Sequence, residues 1–166
     1  MVIVAAIVAV VLGLGFFWLT NNYAHDDAGS LESALTTAGA VKQCDRGDAG
    51  RGPDNYSPWY NAIYTVTGDR AAATDLVRKA AQQAGLDLVD KTDSNPLYGQ
   101  YFQGIASKKS THNDLKSGEA TYSALVYKTR AFVAANDKKY CTTTEQSNPS
   151  SSITTVLISV GLPSSR

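Results

Sequence analysis

An unbroken apolar segment from Val2 to Leu19 constrains this chain more than any other feature of its sequence. Its 18 residues carry no charge, and as a helix rising about 1.5 Å per residue they would just cross a hydrocarbon core of about 30 Å. Trp18 stands near the end of the segment, where aromatic side chains anchor membrane helices at the interface. We therefore predict a transmembrane anchor over residues 1–20, with the lipid bilayer as the partner of residues 2–19.

The flanks of this segment predict where the rest of the chain lies. A cleavable signal peptide needs a basic stretch before the apolar residues and a small-x-small cleavage site after them. Neither is clear here, so we expect an uncleaved anchor. No Lys or Arg follows until Lys42, so nothing favours holding the remainder in the cytoplasm. We predict a single-pass protein of the cell membrane whose C-terminal domain lies outside the cytoplasm.

Cysteine usage favours the same compartment. Cys44 and Cys141 are the two cysteines of the chain, and an oxidising compartment would join them. Closing so long a loop would stabilise the fold by about 4 to 5 kcal/mol in the loop-entropy model. The alternatives are two reduced buried thiols, or a metal site for which only His25 and His112 are available, neither at ligand spacing from a cysteine. We predict the disulfide, and neither a metal site nor a cofactor.

Length and charge limit the remaining classes of protein. A chain of 166 residues with 43% hydrophobic residues fits one ordinary domain plus a short appendage. Fifteen basic residues balance fifteen acidic ones, so the charge gives no reason to expect a nucleic-acid partner.

The chain after the anchor divides into a juxtamembrane region, residues 21–40, and a domain, residues 41–166. In the first region Ser30 can cap a short helix with apolar positions at Leu31 and Leu35, either as a stalk or as a first helix packed on the domain. Residues 44–55 hold three glycines without hydrophobic periodicity, which predicts a loop.

The domain contains one strong strand-helix-strand pattern. Trp59 to Thr67 is dense in aromatic and β-branched residues and predicts a strand. Asp69 is the N-cap of a helix over 70–84 with one apolar face, and Gly85 ends that helix. Residues 86–89 follow as a second strand.

Later elements are less regular. Residues 120–133 fit either a helical face or a strand, and their composition favours a strand. A second strand over 139–142 and a last strand over 153–160 complete the pattern. The predicted fold class is α+β: an antiparallel or mixed sheet of four to five strands with one main covering helix.

Two aromatic clusters beside prolines are the candidate binding surface. Such side chains serve as sugar platforms or partner anchors, and core packing is the alternative interpretation. The six residues are Tyr56, Trp59 and Tyr60 around Pro58, and Tyr98, Tyr101 and Phe102 beyond Pro96.

A catalytic set is not evident. A nucleophile, base and orienter would need His25 or His112, of which the first adjoins the anchor and the second lies in a polar stretch. Asp87, Asp90 and Asp93 leave open an enzyme that uses carboxylates, although Asp is also common in turns and at strand ends.

Two resemblances point to the cell envelope. The sequence Tyr-Thr-Val-Thr-Gly at 64–68, the helix over 70–84, Gly85 and the strand over 86–89 resemble the first half of SPOR-type peptidoglycan-binding domains, which lie outside the membrane on single-pass anchors. The anchor followed by Cys-Asp-Arg-Gly-Asp-Ala-Gly, Asp-Asn-Tyr-Ser-Pro-Trp-Tyr, a late Cys and a final Gly-Leu-Pro is similar to membrane-anchored extracytoplasmic proteins of high-GC Gram-positive bacteria.

The expected function is therefore that of a non-catalytic binding or adaptor module of the cell envelope. Its expected partners are a cell-envelope protein or peptidoglycan. The alternative is a small cell-wall-acting enzyme that uses Asp carboxylates.

Overall fold

The computed structural model describes residues 23–48, 57–92, 100–110, 119–132, 141–145 and 152–162. In these residues the chain forms two helices and eight strands: α1 Tyr23–Thr37, β1 Val41–Asp48, β2 Trp59–Thr67, α2 Arg70–Gln83, β3 Val89–Asp90, β4 Gln100–Lys109, β5 Glu119–Tyr127, β6 Arg130–Phe132, β7 Thr143–Glu145 and β8 Ile153–Gly161. The predicted anchor, residues 2–19, lies outside the described residues. Neither helix within them has the length and apolar character needed to span a bilayer.

Six of the strands form one sheet in the order β1-β2-β8-β5-β4-β3, and each described pair is antiparallel. The ribbon of β6 and β7 is separate. The predicted α+β class and antiparallel sheet are confirmed. The sheet has more strands than the four to five predicted, and two helices cover it rather than one main helix. The additional strands are β1 and β4. The side chains of β1 are mostly exposed, and β4 buries three successive residues, so neither shows the alternation that marks a half-buried strand.

Helix α1 is longer than predicted. It begins at Tyr23, so the exposed Ser30 lies inside the helix and the predicted cap at that residue is wrong. An apolar stripe explains the extension, because Ala24, Ala28, Leu31 and Leu35 recur at helical spacing and are fully buried. Of the two alternatives for this region, the structure has a first helix packed on the domain.

Helix α2 has the predicted limits. The side chain of Asp69 accepts a hydrogen bond from the backbone N–H of Ala72 at 2.9 Å, which caps the first turn. At the other end Gly85 adopts φ 71°, and Leu86 N donates to Ala81 O at 2.8 Å. This is the Schellman arrangement that a glycine after the last turn permits.

The core lies between the two helices and one face of the sheet, which we call the inner face. Strand β2 directs Tyr60, Ala62, Tyr64 and Val66 to this face, and all four are buried. The strand register extends the inner face across the sheet, because Tyr64 on β2 pairs with Val156 on β8, and Val156 pairs with Val126 on β5.

The disulfide between Cys44 and Cys141 is present, with a Cα–Cα distance of 5.6 Å. Cys44 was expected in a loop but lies in β1, where it pairs with Ile63. The loop prediction for residues 44–55 is therefore wrong for residues 44–48, and residues 49–56 lie outside the description. The bridge joins an edge strand to the turn before β7 and lies on the outer face of the sheet, where Ile63 is 1% exposed.

The other strand predictions are confirmed in some places and wrong in others. The strand interpretation of residues 120–133 is confirmed by β5 for 120–127 and by the short β6 for 130–132, and the last strand is confirmed by β8. The strand over 86–89 is reduced to Val89–Asp90. The strand over 139–142 is wrong in position, because β7 comprises Thr143–Glu145; residues 139 and 140 lie outside the description.

Candidate functional site

The predicted aromatic surface begins with the cluster around Pro58. Tyr56 lies outside the described residues. Trp59 is half-buried, and the guanidinium of Arg46 lies 6.0 Å from the centroid of its ring. Tyr60 is 2% exposed and belongs to the core. This cluster therefore presents one accessible ring among the residues that the structure describes.

The second aromatic cluster lies at the start of β4. Tyr98 is outside the described residues. Tyr101 is 46% exposed, whereas Phe102 is 2% exposed and lies on the inner face. Adjacent side chains of a strand alternate between its faces, so this difference in exposure is expected; a register shift between Gln100 and Phe102 also makes the start of β4 irregular.

The two clusters lie at opposite ends of the sheet. Trp59 pairs with Gly161, which pairs with Thr121 on β5, and Thr121 pairs with Ser107 near the end of β4. Tyr101 precedes Ser107 by six residues, or about 20 Å along a strand. The structure therefore does not bring the six predicted residues into one surface.

Tyr101 and Phe102 line a cleft of about 410 Å³ between α2 and the β3–β4 edge of the sheet, which we call the α2–β4 cleft. Helix α2 contributes one face at helical spacing, and residues of β3 and the segment after it complete the wall. The lining residues are Ala71, Thr74, Asp75, Arg78, Asp90, Thr92, Tyr101 and Phe102.

Arg78 is the central donor of the cleft. Its guanidinium lies 4.8 Å from the centroid of the Phe102 ring, within the range of a cation–π contact. Its Nη2 atom lies 3.3 Å from Oδ2 of Asp90. Both charged side chains are about half exposed, so the ion pair adds little stability. Its consequence is that the guanidinium is oriented while part of it still faces the cleft.

Asp90 is held in place from its other side. Its Oδ1 atom accepts hydrogen bonds from the hydroxyl of Thr92 at 2.6 Å and from the backbone N–H of the same residue at 2.9 Å. The hydrogen bond from the Thr92 side chain has the largest effect, and together with the backbone bond and the charge of Arg78 it lowers the pKa of Asp90 below its usual value. Thr92 Oγ1 in turn accepts from the backbone N–H of Gln103 at 3.0 Å. Asp90 is therefore an ionised, fixed hydrogen-bond acceptor at neutral pH.

The cleft combines groups of both signs with an aromatic surface. It holds the carboxylates of Asp75 and Asp90, the guanidinium of Arg78, two threonine hydroxyls and the exposed ring of Tyr101. Such a set offers acceptors, donors and a ring face together, which suits a ligand rich in hydroxyl and amide groups better than a strongly anionic one.

A second polar group, the Glu32 cluster, joins α1 to β1 and β2. Oε1 of Glu32 accepts from the hydroxyls of Tyr60 at 2.7 Å and Tyr64 at 2.8 Å, and Lys42 Nζ lies 2.8 Å from the same oxygen. Lys42 also pairs with Asp45, whose Oδ2 accepts from Tyr60 at 3.0 Å. Glu32 is 14% exposed and both tyrosines are buried, whereas the side chains of Lys42 and Asp45 remain partly exposed.

Burial and hydrogen bonding shift the acid–base properties of this cluster. Burial has the largest effect on the pKa values of Tyr60 and Tyr64, and the hydrogen bonds and negative charge of Glu32 add to it. Together they raise both pKa values far above the usual range. Burial alone would lower the pKa of Lys42, but its bonds to Asp45 and Glu32 outweigh burial and raise it. Both phenols therefore stay protonated as donors, and the cluster fastens α1 to the sheet.

Sequence reasoning missed Arg78, Thr92 and Glu32. A signal existed for the first, because Ala71, Thr74, Asp75 and Arg78 follow helical spacing on a face that is not apolar. Of the candidate carboxylates Asp87, Asp90 and Asp93, the cleft includes Asp90, while Asp87 is exposed elsewhere and Asp93 lies outside the description. In the part of the chain that the structure describes, no three His, Cys, Asp or Glu side chains are placed to hold a metal ion.

Comparisons with protein-family models, with curated proteins and with solved structures found no match to this chain. The resemblances to SPOR-type domains and to anchored envelope proteins therefore stay predictions.

Proposed function

We propose that the protein is a single-pass, membrane-anchored extracytoplasmic module that binds a component of the cell envelope through the α2–β4 cleft. The apolar segment 2–19 supports the anchor, since its length matches a bilayer core. The bridge between Cys44 and Cys141 supports the compartment, because disulfides persist in oxidising environments.

The observation that carries the binding function is the oriented guanidinium of Arg78. The Phe102 ring and the Asp90 carboxylate hold it from two sides, and Tyr101 exposes its ring in the same cleft. A donor that is ordered before the ligand arrives loses less conformational entropy on binding. Envelope glycans, with many hydroxyls and acetamido groups, fit this combination of acceptors, donor and ring, and peptidoglycan is the proposed ligand.

The alternative, a small cell-wall-acting enzyme, requires a carboxylic acid that stays protonated near neutral pH to act as a general acid. Asp90 does not meet that requirement, because its pKa is lowered. Asp90 is therefore better suited to accept hydrogen bonds from a ligand than to act as the general acid of glycoside hydrolysis.

Binding can be tested by sedimenting the full chain, solubilised in detergent, with insoluble peptidoglycan. Arg78→Ala and Tyr101→Ala should each weaken binding about tenfold, which corresponds to about 1.4 kcal/mol. Arg46→Ala is the matched control, because Arg46 also lies over an aromatic ring but at the opposite end of the sheet. Equal affinities of all four proteins would contradict the role of the cleft.

The anchor and compartment need a separate test. In cells the full chain should sediment with membranes and resist extraction by high salt, because an inserted helix is held by apolar burial rather than by charge. Alkylation of the protein from its native compartment should find no free thiol. Release by salt, or two alkylated cysteines, would contradict the proposed localisation.

A further inference from the structure

The connection between the apolar segment and the folded domain is very short. The segment ends at Leu19 and α1 begins at Tyr23. Four Cα-to-Cα steps span at most about 14 Å even when fully extended. The polar head-group layer on each side of a bilayer is itself about 5 to 7 Å thick. If residues 2–19 cross the membrane, as the proposed function holds, the start of α1 lies within or just above that layer.

The first turns of α1 already belong to the domain, so no spacer separates the domain from the bilayer. Ala24 and Ala28 are fully buried, and Asp27 is 3% exposed. Ser110 Oγ donates to Oδ2 of Asp27 at 2.7 Å, and the hydroxyl of Tyr122 lies 3.2 Å from the backbone carbonyl of the same residue. Moving the start of α1 away from the sheet would break these contacts, so the domain follows the anchor closely.

Contacts of α1 identify the part of the domain that this connection holds near the lipid. The ring of His25 lies 4.7 Å from the ring of Tyr60, and Tyr60 is adjacent to Trp59 at the start of β2. The same end of the sheet includes Gly161 and Thr121, which are the register partners of Trp59 across β8 and β5. We call this edge of the domain the Trp59 end.

We infer that the Trp59 end lies against the lipid head groups and that the α2–β4 cleft points away from the bilayer; this inference rests on the proposed anchor. Tryptophan is one of the side chains that are enriched at the membrane interface. Tyr101, in the cleft, lies about 20 Å further along the strands. At the Trp59 end, Lys109 and Glu119 are register partners of opposite charge. The short connection to the anchor, rather than a surface charge, therefore holds this end near the lipid, and zwitterionic lipid should suffice as the partner.

The chain has two tryptophans, which permits a test with single fluorescent probes in the full chain. Trp18→Phe leaves Trp59 as the probe of the proposed surface, and Trp59→Phe leaves Trp18 as the probe of insertion. Trp18→Phe/Trp59→Phe/Tyr101→Trp places the probe in the cleft as the matched control. Each protein is reconstituted in phosphatidylcholine vesicles that contain either acyl-chain-brominated lipid or lipid with a nitroxide on its head group, and quenching is recorded.

We expect brominated lipid to quench Trp18, and the head-group nitroxide to quench Trp59 at least twofold more than the probe at position 101. If Trp18 is quenched but Trp59 and position 101 respond equally, the orientation is wrong while the anchor stands. If Trp18 is not quenched by brominated lipid, the anchor is wrong and the proposed function fails with it. Circular dichroism of each variant verifies that the fold is retained.

Discussion

The phenol of Tyr60 donates a hydrogen bond to Oε1 of Glu32 at 2.7 Å, across the junction of α1 and the sheet. Tyr64 donates to the same oxygen, so one carboxylate satisfies two buried hydroxyls. Because a buried donor without a partner costs about 1 to 3 kcal/mol, this one side chain helps to hold α1 on the sheet, beside the apolar stripe that the helix buries. The same helix leads from the apolar segment into the domain, so the Glu32 cluster also links the proposed anchor to the sheet.

Glu32→Ala should therefore lower the free energy of unfolding by about 2 to 4 kcal/mol, because it removes the acceptor of the buried Tyr64 hydroxyl and leaves Tyr60 and Lys42 with Asp45 alone. Glu32→Gln, which keeps one acceptor oxygen, should cost about half as much. Glu119→Ala, at an exposed position on β5, is the control and should change stability by less than about 0.5 kcal/mol. Urea titrations of the three variants measure these effects. A similar loss in all three would contradict the role of the Glu32 cluster.

Alkaline pH should unfold the protein cooperatively. The pKa values of Tyr60 and Tyr64 are raised, and burial with the nearby charge of Asp27 raises the pKa of Tyr122 to about 12. Above about pH 10 the unfolded chain loses these phenolic protons while the folded chain keeps them. Stability is then fully present below pH 10 and falls by about 1.4 kcal/mol per pH unit for each such tyrosine.

Phenolate absorbance and circular dichroism recorded together test this pH dependence. The buried tyrosines should ionise in the same step in which helical signal is lost. Tyr64→Phe removes one of the groups and should make the fall in stability with pH shallower, although it also lowers stability at neutral pH. Gradual ionisation with the fold intact would show that these hydroxyls are accessible.

The disulfide should contribute a large share of the domain's stability. It closes a sequence separation of 97 residues, for which the loop-entropy model gives about 4 to 5 kcal/mol. Cys44→Ala/Cys141→Ala should lose most of this amount and should expose the β6–β7 ribbon to proteases, because the bridge fixes the turn before β7. A reducing agent should destabilise the native chain equally but leave the double variant unchanged. A reductant effect on the double variant would mean that the bridge is not the cause.

The elements that could be predicted from the sequence are those with a strong local pattern. Strand β2 and helix α2 were predicted within a residue, because the first is a run of aromatic and β-branched residues and the second has an N-cap, an apolar face and a terminal glycine. The edge strand β1 could not be predicted in this way. It contains Gly47 and Asp48 and buries no side chain fully, so neither its composition nor its hydrophobic pattern indicates a strand. It is a strand because it pairs with β2.

The candidate site could be predicted from the sequence only in part, because it also depends on contacts between distant elements. Tyr101 was singled out as an aromatic residue, but its contribution depends on Arg78, which lies 23 positions away on another element. The same aromatic pattern also selected Tyr60 and Phe102, which the structure buries. Composition identifies which residues carry chemistry, whereas the register of distant strands determines which of them meet.

Gly104 makes room for the aromatic wall of the α2–β4 cleft. A Cβ at this position would lie 2.8 Å from Cζ of Phe102 and 3.1 Å from Cβ of Leu88, so Gly104→Ala must displace the ring that supports Arg78. We expect a loss of about 1 to 3 kcal/mol in stability and weaker peptidoglycan binding than the native chain. Gly161→Ala is the matched strand control, because a Cβ there has no neighbour within 4 Å. Equal urea midpoints for the two variants would contradict this account.

Replacing two glycines of the helices by alanine should change the stability of the protein in opposite directions. Gly29 lies inside α1, is exposed and has no atom within 4 Å of an added Cβ. Gly29→Ala should therefore raise stability by about 0.5 to 1 kcal/mol, because alanine loses less backbone entropy in a helix. Gly85 holds the left-handed φ of 71° that ends α2, and an added Cβ would only touch Nζ of Lys108 at 3.4 Å. Gly85→Ala should cost about 1 to 2 kcal/mol through backbone strain rather than through a clash. Urea midpoints at constant m-value measure both effects, and the double variant should show their sum because the sites are independent. A neutral Gly85→Ala would mean that the C-terminal turn of α2 can close without the left-handed residue.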